Sequence, residues 1–239
     1  PEGKGRGARQ GKNRPMIIET GHFALVLALA LALAQAWVGF TAAHWGDTRL
    51  ARSTDNLARS CFWAVALAFA SLTYAYVSSD FSVRNVVENS HTLKPVIYKL
   101  SGVWGNHEGS MLLWALILSF FSAMVAIFGC KLPERLKANV LAFQGLIAFA
   151  FILFILFTSN PFERVAIPPL EGNDLNPVLQ DIGLAIHPPL LYLGYVGFSV
   201  SFSFAMAALL EGRIDAAWAR WVRPWTLAAW MFLTAGIAM

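Results

Sequence analysis

Long apolar stretches, each about as long as a bilayer is thick, constrain the fold of this chain more than any other feature. A helix that spans a membrane needs about 20 consecutive, mostly apolar residues. Six stretches reach or approach that length, at residues 22–43, 58–77, 111–129, 140–158, 189–210 and 224–239. We therefore expect an all-α polytopic membrane protein with about six transmembrane helices, of which the sixth is truncated by the end of the chain.

The composition agrees with a membrane protein. Only 13% of the residues are charged, whereas soluble domains average about 25%. The net charge of +4 is concentrated in residues 1–15, a Gly-rich basic segment without apolar periodicity. Such a segment is typical of a disordered tail. We expect the native chain to start at Met16 and residues 16–239 to form the membrane domain, with no nucleic-acid partner.

The distribution of basic residues predicts how the helices are oriented. Outside the tail, the loops after the first, third and fifth helices carry nine Lys and Arg residues, and the opposite loops carry four. Because basic loops stay in the cytoplasm, residues 78–110 and 159–188 are predicted to face the periplasm of a bacterial inner membrane. The central part of each span has no Asp, Glu, Lys or Arg. Ion-coupled transporters usually need such residues, so we expect the chemistry at the outer surface.

A histidine followed by two prolines, His187-Pro188-Pro189, opens the fifth stretch. Proline disfavours the helical conformation of the preceding residue, and it suits the first turn of a helix. The motif therefore predicts that His187 lies just outside the helix, at the membrane surface. Imidazole is a common ligand of transition metals, haem iron included. An interfacial histidine bonded to a loop carbonyl is the alternative, and the local sequence leaves both open.

The segment before His187 predicts a second, interfacial element. Asn176-Pro177 offers an N-cap followed by proline at the first helical position. Apolar residues then recur at helical spacing at Val178, Leu179, Ile182 and Ile186. This pattern indicates a short amphipathic helix that leads into His187.

The segment Trp104–Ser110 contains several further candidate contacts. A flat ligand could lie against the Trp104 indole while His107 or Glu108 meets its polar edge. The alternative is a well-built helix start, in which Glu108 favours the positive end of the helix dipole. Tyr192, on the helix that follows His187, is either a packing residue or a wall of the same pocket.

Two of these segments resemble the CcmF family, the cytochrome c-type biogenesis proteins of bacterial haem ligation. One is Trp104–Ser110 followed by Met-Leu-Leu-Trp, and the other is Asn176–Gly183 leading into His187–Tyr195. The resemblance covers nearly all of residues 16–239, and it extends to the related haem-handling proteins NrfE, CcmC and CcsA. It implies a haem lyase that receives haem b from a CcmE-like chaperone. With a CcmH-like subunit, the lyase attaches the haem to apocytochrome c at Cys-x-x-Cys-His.

The resemblance also implies a role for single residues. His187 would be one axial ligand of the haem iron. Since the family's tryptophan-rich segment and second periplasmic histidine do not occur here, this stretch would supply one ligand of the pair. We name no catalytic residue, and we expect the other haem contacts to be Trp104, His107, Glu108, Pro188, Pro189 and Tyr192. Two other functions stay open, namely a membrane transporter that exports haem and a purely structural assembly subunit.

Overall fold

The computed structural model of the chain describes residues 14–174, 176, 180–212 and 214–239. These residues are almost entirely helical, and the all-α prediction is confirmed. A single 3-10 turn at Gly129–Lys131 follows α5. The helices are α1 Arg14–Trp45, α2 Thr48–Val77, α3 Arg84–Asn89, α4 Val96–Gly102, α5 His107–Phe128, α6 Glu134–Thr158, α7 Ile182–Glu211 and α8 Ala216–Ala238.

Within the described residues, five helices are long and apolar enough to cross a membrane, namely α1, α2, α5, α6 and α7. The sixth predicted span corresponds to α8. This helix begins at Ala216 rather than near Pro224, which lies inside it. The first turns of α8 include Arg220 and Arg223, and these charges make its first half more polar than the other spans.

The helices begin earlier than the apolar stretches do. Helix α1 starts at Arg14, so Arg14 and Pro15 are helical rather than part of the tail, and residues 1–13 lie outside the described part of the chain. Helix α2 starts at Thr48, where the Asp47 side chain accepts hydrogen bonds from the first free backbone N–H groups. A capped helix continues beyond the bilayer because its end groups are already satisfied.

Small residues allow the helices to approach closely. Helix α1 packs mainly against α2 and α6, and α5 packs against α2, α6 and α7. On α1, Ala28 and Ala32 are fully buried. On α6, a Cβ at Gly145 would lie 2.9 Å from the carbonyl oxygen of Ala32. Close backbone contact of this kind is a main source of helix association in membranes.

Two buried glutamines connect the spanning helices through polar contacts. The Gln35 amide of α1 donates to the Leu141 carbonyl of α6 at 2.7 Å and to the Ser122 hydroxyl of α5 at 2.9 Å. The Gln144 amide of α6 donates to the Ser203 hydroxyl of α7 at 2.9 Å. Both glutamines are almost completely buried. These bonds satisfy amide groups that would otherwise be unpaired in an apolar environment.

The two ends of the bundle differ in how the helices are connected. At one end, which we call the short-turn end, the connections are residues 46–47, 129–133 and 212–215. At the other, the loop-rich end, residues 78–106 contain α3 and α4, and residues 159–181 connect α6 to α7.

The two long connections of the loop-rich end are joined by a short backbone clasp. Val83 and Arg164 form an isolated antiparallel bridge. Beside it, the Arg84 N–H donates to the Glu163 carbonyl at 2.8 Å, and the Val165 N–H donates to the Ser82 carbonyl at 3.1 Å. The clasp holds both segments in one layer over the end of the bundle.

Candidate functional site

His187 lies inside α7, which runs without interruption from Ile182 to Glu211. The prediction that the two prolines would place this histidine outside the helix is therefore wrong. Pro188 and Pro189 occupy the second turn, where each lacks the N–H that would bond the carbonyl four residues earlier. The helix continues through them, and one of those two carbonyls finds a donor outside α7.

That donor is Trp104. Its indole Nε1–H donates to the Ala185 carbonyl at 3.0 Å. The Ala185 carbonyl is the one that a normal residue at position 189 would bond, and Pro189 leaves it without that partner. The two motifs singled out in the sequence are thus in direct contact, two residues before His187.

Only the last part of the predicted interfacial helix before His187 is helical in the structure, as the start of α7. Ile182 and Ile186 belong to the first two turns of α7, and Gln180 and Asp181 precede the helix. Residues 177–179, which hold the proposed first helical position, lie outside the described residues.

A tight turn before α5 fixes the position of Trp104. Asn106 caps α5, since its side-chain oxygen accepts from the Gly109 N–H at 2.8 Å, and its amide donates to the Gly102 carbonyl at 2.8 Å. A Cβ at Gly109 would lie 1.7 Å from the Val103 carbonyl oxygen, so this position tolerates only glycine. The chain thus folds back closely on itself on both sides of Trp104.

Two further contacts join α5 to α7 below this point. The hydroxyl groups of Ser110 and Tyr192 are 2.8 Å apart and hydrogen-bonded. The Trp114 ring packs edge-on against Tyr192 and Tyr195, with centroids 5.5 and 5.1 Å away. An apolar cavity of about 300 Å³ lies beside this cluster, and its lining includes Trp114, Tyr195 and Phe151.

His107 and Glu108 are bonded to elements other than α7. The His107 Nε2 lies 3.0 Å from the Ser159 hydroxyl at the end of α6. The Glu108 carboxylate accepts from the Asn85 amide of α3 at 3.2 Å. Glu108, Asn85 and Ser159 line a polar cavity of about 250 Å³. His107 and Glu108 therefore hold the loop-rich end together. Trp104 and Tyr192 instead join the start of α5 to α7, the helix that carries His187.

The five histidines differ in whether their rings have partners. His22, His91 and His107, all at the loop-rich end, each have a ring stacking or hydrogen-bond partner. His44 lies at the short-turn end, beside an apolar groove. His187 is half-buried, and within the described residues it has no hydrogen bond, ion pair or ring contact. Its ring nitrogens are available to a ligand.

Three polar residues of the loop-rich end were missed by the sequence reasoning. Tyr76 is fully buried at the end of α2 and donates to Asn85, and it accepts from the Asn106 amide at 3.0 Å. An asparagine directly before a helical stretch is a usual N-cap signal, so Asn106 could have been found. The sequence gives no comparable signal for Tyr76 or Asn85, which meet only in the folded chain.

Charged groups stabilise the outer part of the loop layer. Two hydrogen bonds from Thr92, one from its hydroxyl and one from its N–H, lower the pKa of the Glu171 carboxyl. Burial lowers the pKa of the Lys94 ammonium, and Asp174, 3.7 Å away, opposes part of that effect. Both contacts connect residues 90–99 to the loop that precedes α7.

Comparison with known proteins assigns the chain to a family. The sequence profile described as "Cytochrome C assembly protein" matches residues 104–239, more than half of the chain. The chain belongs to the cytochrome C assembly protein family. The match begins at Trp104, so it contains most of the turn before α5 and the whole of α7, including His187.

Individual relatives within this assembly family agree with the profile. The chain is 72% identical over 224 residues to the cytochrome c-type biogenesis protein CycK of Rhizobium meliloti, which covers 94% of this chain and 33% of that protein. It is 55% identical over 230 residues to CcmF of Pseudomonas aeruginosa, with 94% and 34% covered. A solved structure of cytochrome c haem lyase CcmF matches with a TM-score of 0.81 at 32% identity, over 92% of this chain and 35% of that one.

These similarities confirm the resemblance to CcmF that the two motifs indicate. They also set its extent, because the chain spans about a third of the length of the relatives that it matches.

Proposed function

We propose that this member of the cytochrome C assembly family takes part in cytochrome c maturation by holding haem at the loop-rich end, with His187 as an axial ligand of the iron. The observation that carries the proposal is the imidazole itself. It is half-buried, and it has no partner among the described residues. The names of the relatives, cytochrome c-type biogenesis protein and cytochrome c haem lyase, support the same function.

The residues around His187 fit a haem ligand. Neutral imidazole is an ordinary axial ligand of haem iron. The aromatic rings of Tyr192 and Trp114 on the adjoining faces of α5 and α7 offer apolar surface for a macrocycle. One histidine at this site supplies one of two axial positions.

The proposed contribution of the protein is positioning. Bound haem, here expected to be haem b, supplies the vinyl groups that react with cysteine thiols. His187 fixes the iron, and Pro188 and Pro189 set the course of the helix that carries it. Holding the reacting groups in place makes their encounter effectively intramolecular. Because His107 and Glu108 bond α6 and α3, we assign them to the loop layer rather than to the haem.

The proposal includes a location and partners. The loop-rich end would face the periplasm from the bacterial inner membrane, as the basic residues of the opposite loops predict. A CcmE-like chaperone would deliver haem there, and a CcmH-like subunit would present apocytochrome c with its Cys-x-x-Cys-His motif. Each partner would meet the layer formed by residues 78–106 and 159–181.

Replacement of His187 tests this function. We expect His187→Ala to lower the haem content of the purified full chain at least tenfold, since even groups behind a metal ligand are worth about 10–100-fold in affinity. Maturation of a reporter cytochrome c in cells should fall in parallel. Haem content is measured by Soret absorbance and by extraction.

His44→Ala is the matched control, because His44 is exposed at the short-turn end. It should leave haem content and maturation at the level of the unchanged protein. Wild-type haem content together with normal maturation in the His187→Ala protein would refute the axial role.

A further inference from the structure

The contact between Trp104 and Ala185 replaces a bond that the helix cannot make. In a regular helix the residue at position 189 donates its N–H to the carbonyl of residue 185. Pro189 has no N–H, and the Trp104 indole donates to that carbonyl from outside at 3.0 Å. The substitute bond joins the turn before α5 to the one stretch of α7 that carries His187.

We infer that Trp104 is a positioning residue for His187, because its indole N–H takes the place of the helical bond that Pro189 removes and so fixes the direction in which the imidazole leaves α7. This inference rests on the proposed function, in which that imidazole binds iron. It assigns Trp104 a hydrogen-bonding role instead of the stacking contact with a flat ligand that the sequence predicts.

A proline inside a helix explains why positioning is needed. Its ring pushes against the carbonyl four residues earlier, and the helix bends there. With that carbonyl free, the first turns of α7 could adopt more than one tilt relative to the rest of the helix. A donor in a fixed position selects one tilt, and His187 lies within the affected turns.

Trp104 can select the tilt because its own position is rigid. Asn106 donates to the carbonyls of Gly102 and Val103, which flank Trp104 on its N-terminal side. On the other side, Gly109 approaches the Val103 carbonyl so closely that no larger residue fits. The indole is therefore held by the turn itself.

The same helix provides a matched comparison at its other end. The Trp218 indole donates to the Phe204 carbonyl of α7 at 3.2 Å. Position 208 is an alanine, which keeps its N–H for that carbonyl, so the indole bond is added to an intact helix. Trp218→Phe thus removes the same kind of indole donor to a carbonyl of α7, at a carbonyl that proline has not deprived of its helical donor.

Trp104→Phe tests the inference, since it keeps an aromatic ring and removes the N–H. We expect the purified full chain to retain haem about fivefold less well, the equivalent of one hydrogen bond of about 1 kcal/mol. We also expect shifted Soret and low-spin electron paramagnetic resonance signals, which report on the axial imidazole. Trp218→Phe should leave both signals unchanged.

Pro189→Ala supplies the decisive background, because alanine restores the backbone N–H donor that the Ala185 carbonyl lacks within the helix. In that background Trp104→Phe should have no further effect, so the double variant should match Pro189→Ala alone. The comparison holds even if the single Trp104→Phe protein fails to fold, since the restored helical bond supports the double variant.

Three results would overturn the inference: unchanged haem signals in Trp104→Phe, an equal shift in Trp218→Phe, or an undiminished effect of Trp104→Phe beside Pro189→Ala. Its failure is distinguishable from failure of the proposed function. If His187→Ala alters the haem signals and Trp104→Phe does not, only the positioning role is lost. If His187→Ala alters nothing, the axial role itself is refuted.

Discussion

The short-turn end and the loop-rich end differ in how much chain connects the helices, although contacts between distant residues occur at both, as Lys137 and Asp55 show at the short-turn end. At the short-turn end, Asp47 and Asp215 each cap the helix that immediately follows them, and the turns between helices are brief. At the loop-rich end, side chains bond groups far away in the sequence, as Trp104 does with Ala185 and Glu108 with Asn85.

The difference teaches where a change in sequence will have a local effect. A cap bonds only its own helix, so its loss frays one helix end. At the loop-rich end, Asn106 and Asn85 each bond two or more elements, so a change at either residue alters the position of the others. A layer of this kind suits a site that must hold a ligand in one geometry.

Thiol labelling provides the sharpest test, because it asks which compartment each end faces. Cys130 is exposed at the short-turn end, and Cys61 is buried within α2. In intact cells with a permeable outer membrane, a membrane-impermeant maleimide should leave the protein unlabelled. Labelling should appear only after the inner membrane is opened, because the short-turn end is expected in the cytoplasm. Labelling of Cys130 before that step would reverse the proposed orientation.

Two glycine substitutions, one at each end of the bundle, should differ in how much folding stability they remove. Gly109→Ala would place a Cβ 1.7 Å from the Val103 oxygen, and we expect a loss of more than about 4 kcal/mol of folding stability. Gly46→Ala, at the short-turn end, places its Cβ in open space at a φ of +67°, which costs about 1 kcal/mol. Thermal unfolding in detergent measures both. Equal losses would mean that the two ends do not differ in this way.

A pair of helix caps should show a smaller difference in the same direction. Asp47→Ala removes bonds to two N–H groups of its own helix, and the expected loss is about 1 kcal/mol. Asn106→Ala also removes the donors for the Gly102 carbonyl and the Tyr76 hydroxyl, so about 2–3 kcal/mol is expected. The same unfolding assay applies. An Asn106→Ala protein as stable as Asp47→Ala would mean that the extra bonds contribute nothing.

The membrane-spanning core could be predicted from the sequence because the apolar stretches directly reflect the thickness of the bilayer. The starts of the helices were less predictable. Helices α1 and α2 begin well before their apolar stretches, since a polar turn with a cap such as Asp47 is stable outside the bilayer. The hydropathy pattern contains no information about such turns.

The site was predictable only in part, for a physical reason that His187 shows. The rule that disfavours helix before proline is local, and it predicted a break at His187. The helix nevertheless continues through both prolines, and Trp104, far away in the sequence, supplies the donor that the Ala185 carbonyl lacks within the helix. The two motifs were both recognised as unusual, but their contact depends on the packing of α5 against α7.

The buried amides of Gln35 and Gln144 have a consequence for how the bundle assembles. Turning α1 by one residue, about 100°, would point the Gln35 amide away from the Leu141 carbonyl. An amide left unsatisfied in hydrocarbon costs several kcal/mol, so each of these helices has one favoured rotational setting. Gln35 and Gln144 therefore fix how the spans are rotated relative to one another. The geometry of the loop-rich end depends on that rotation, and so on two buried side chains within the spans.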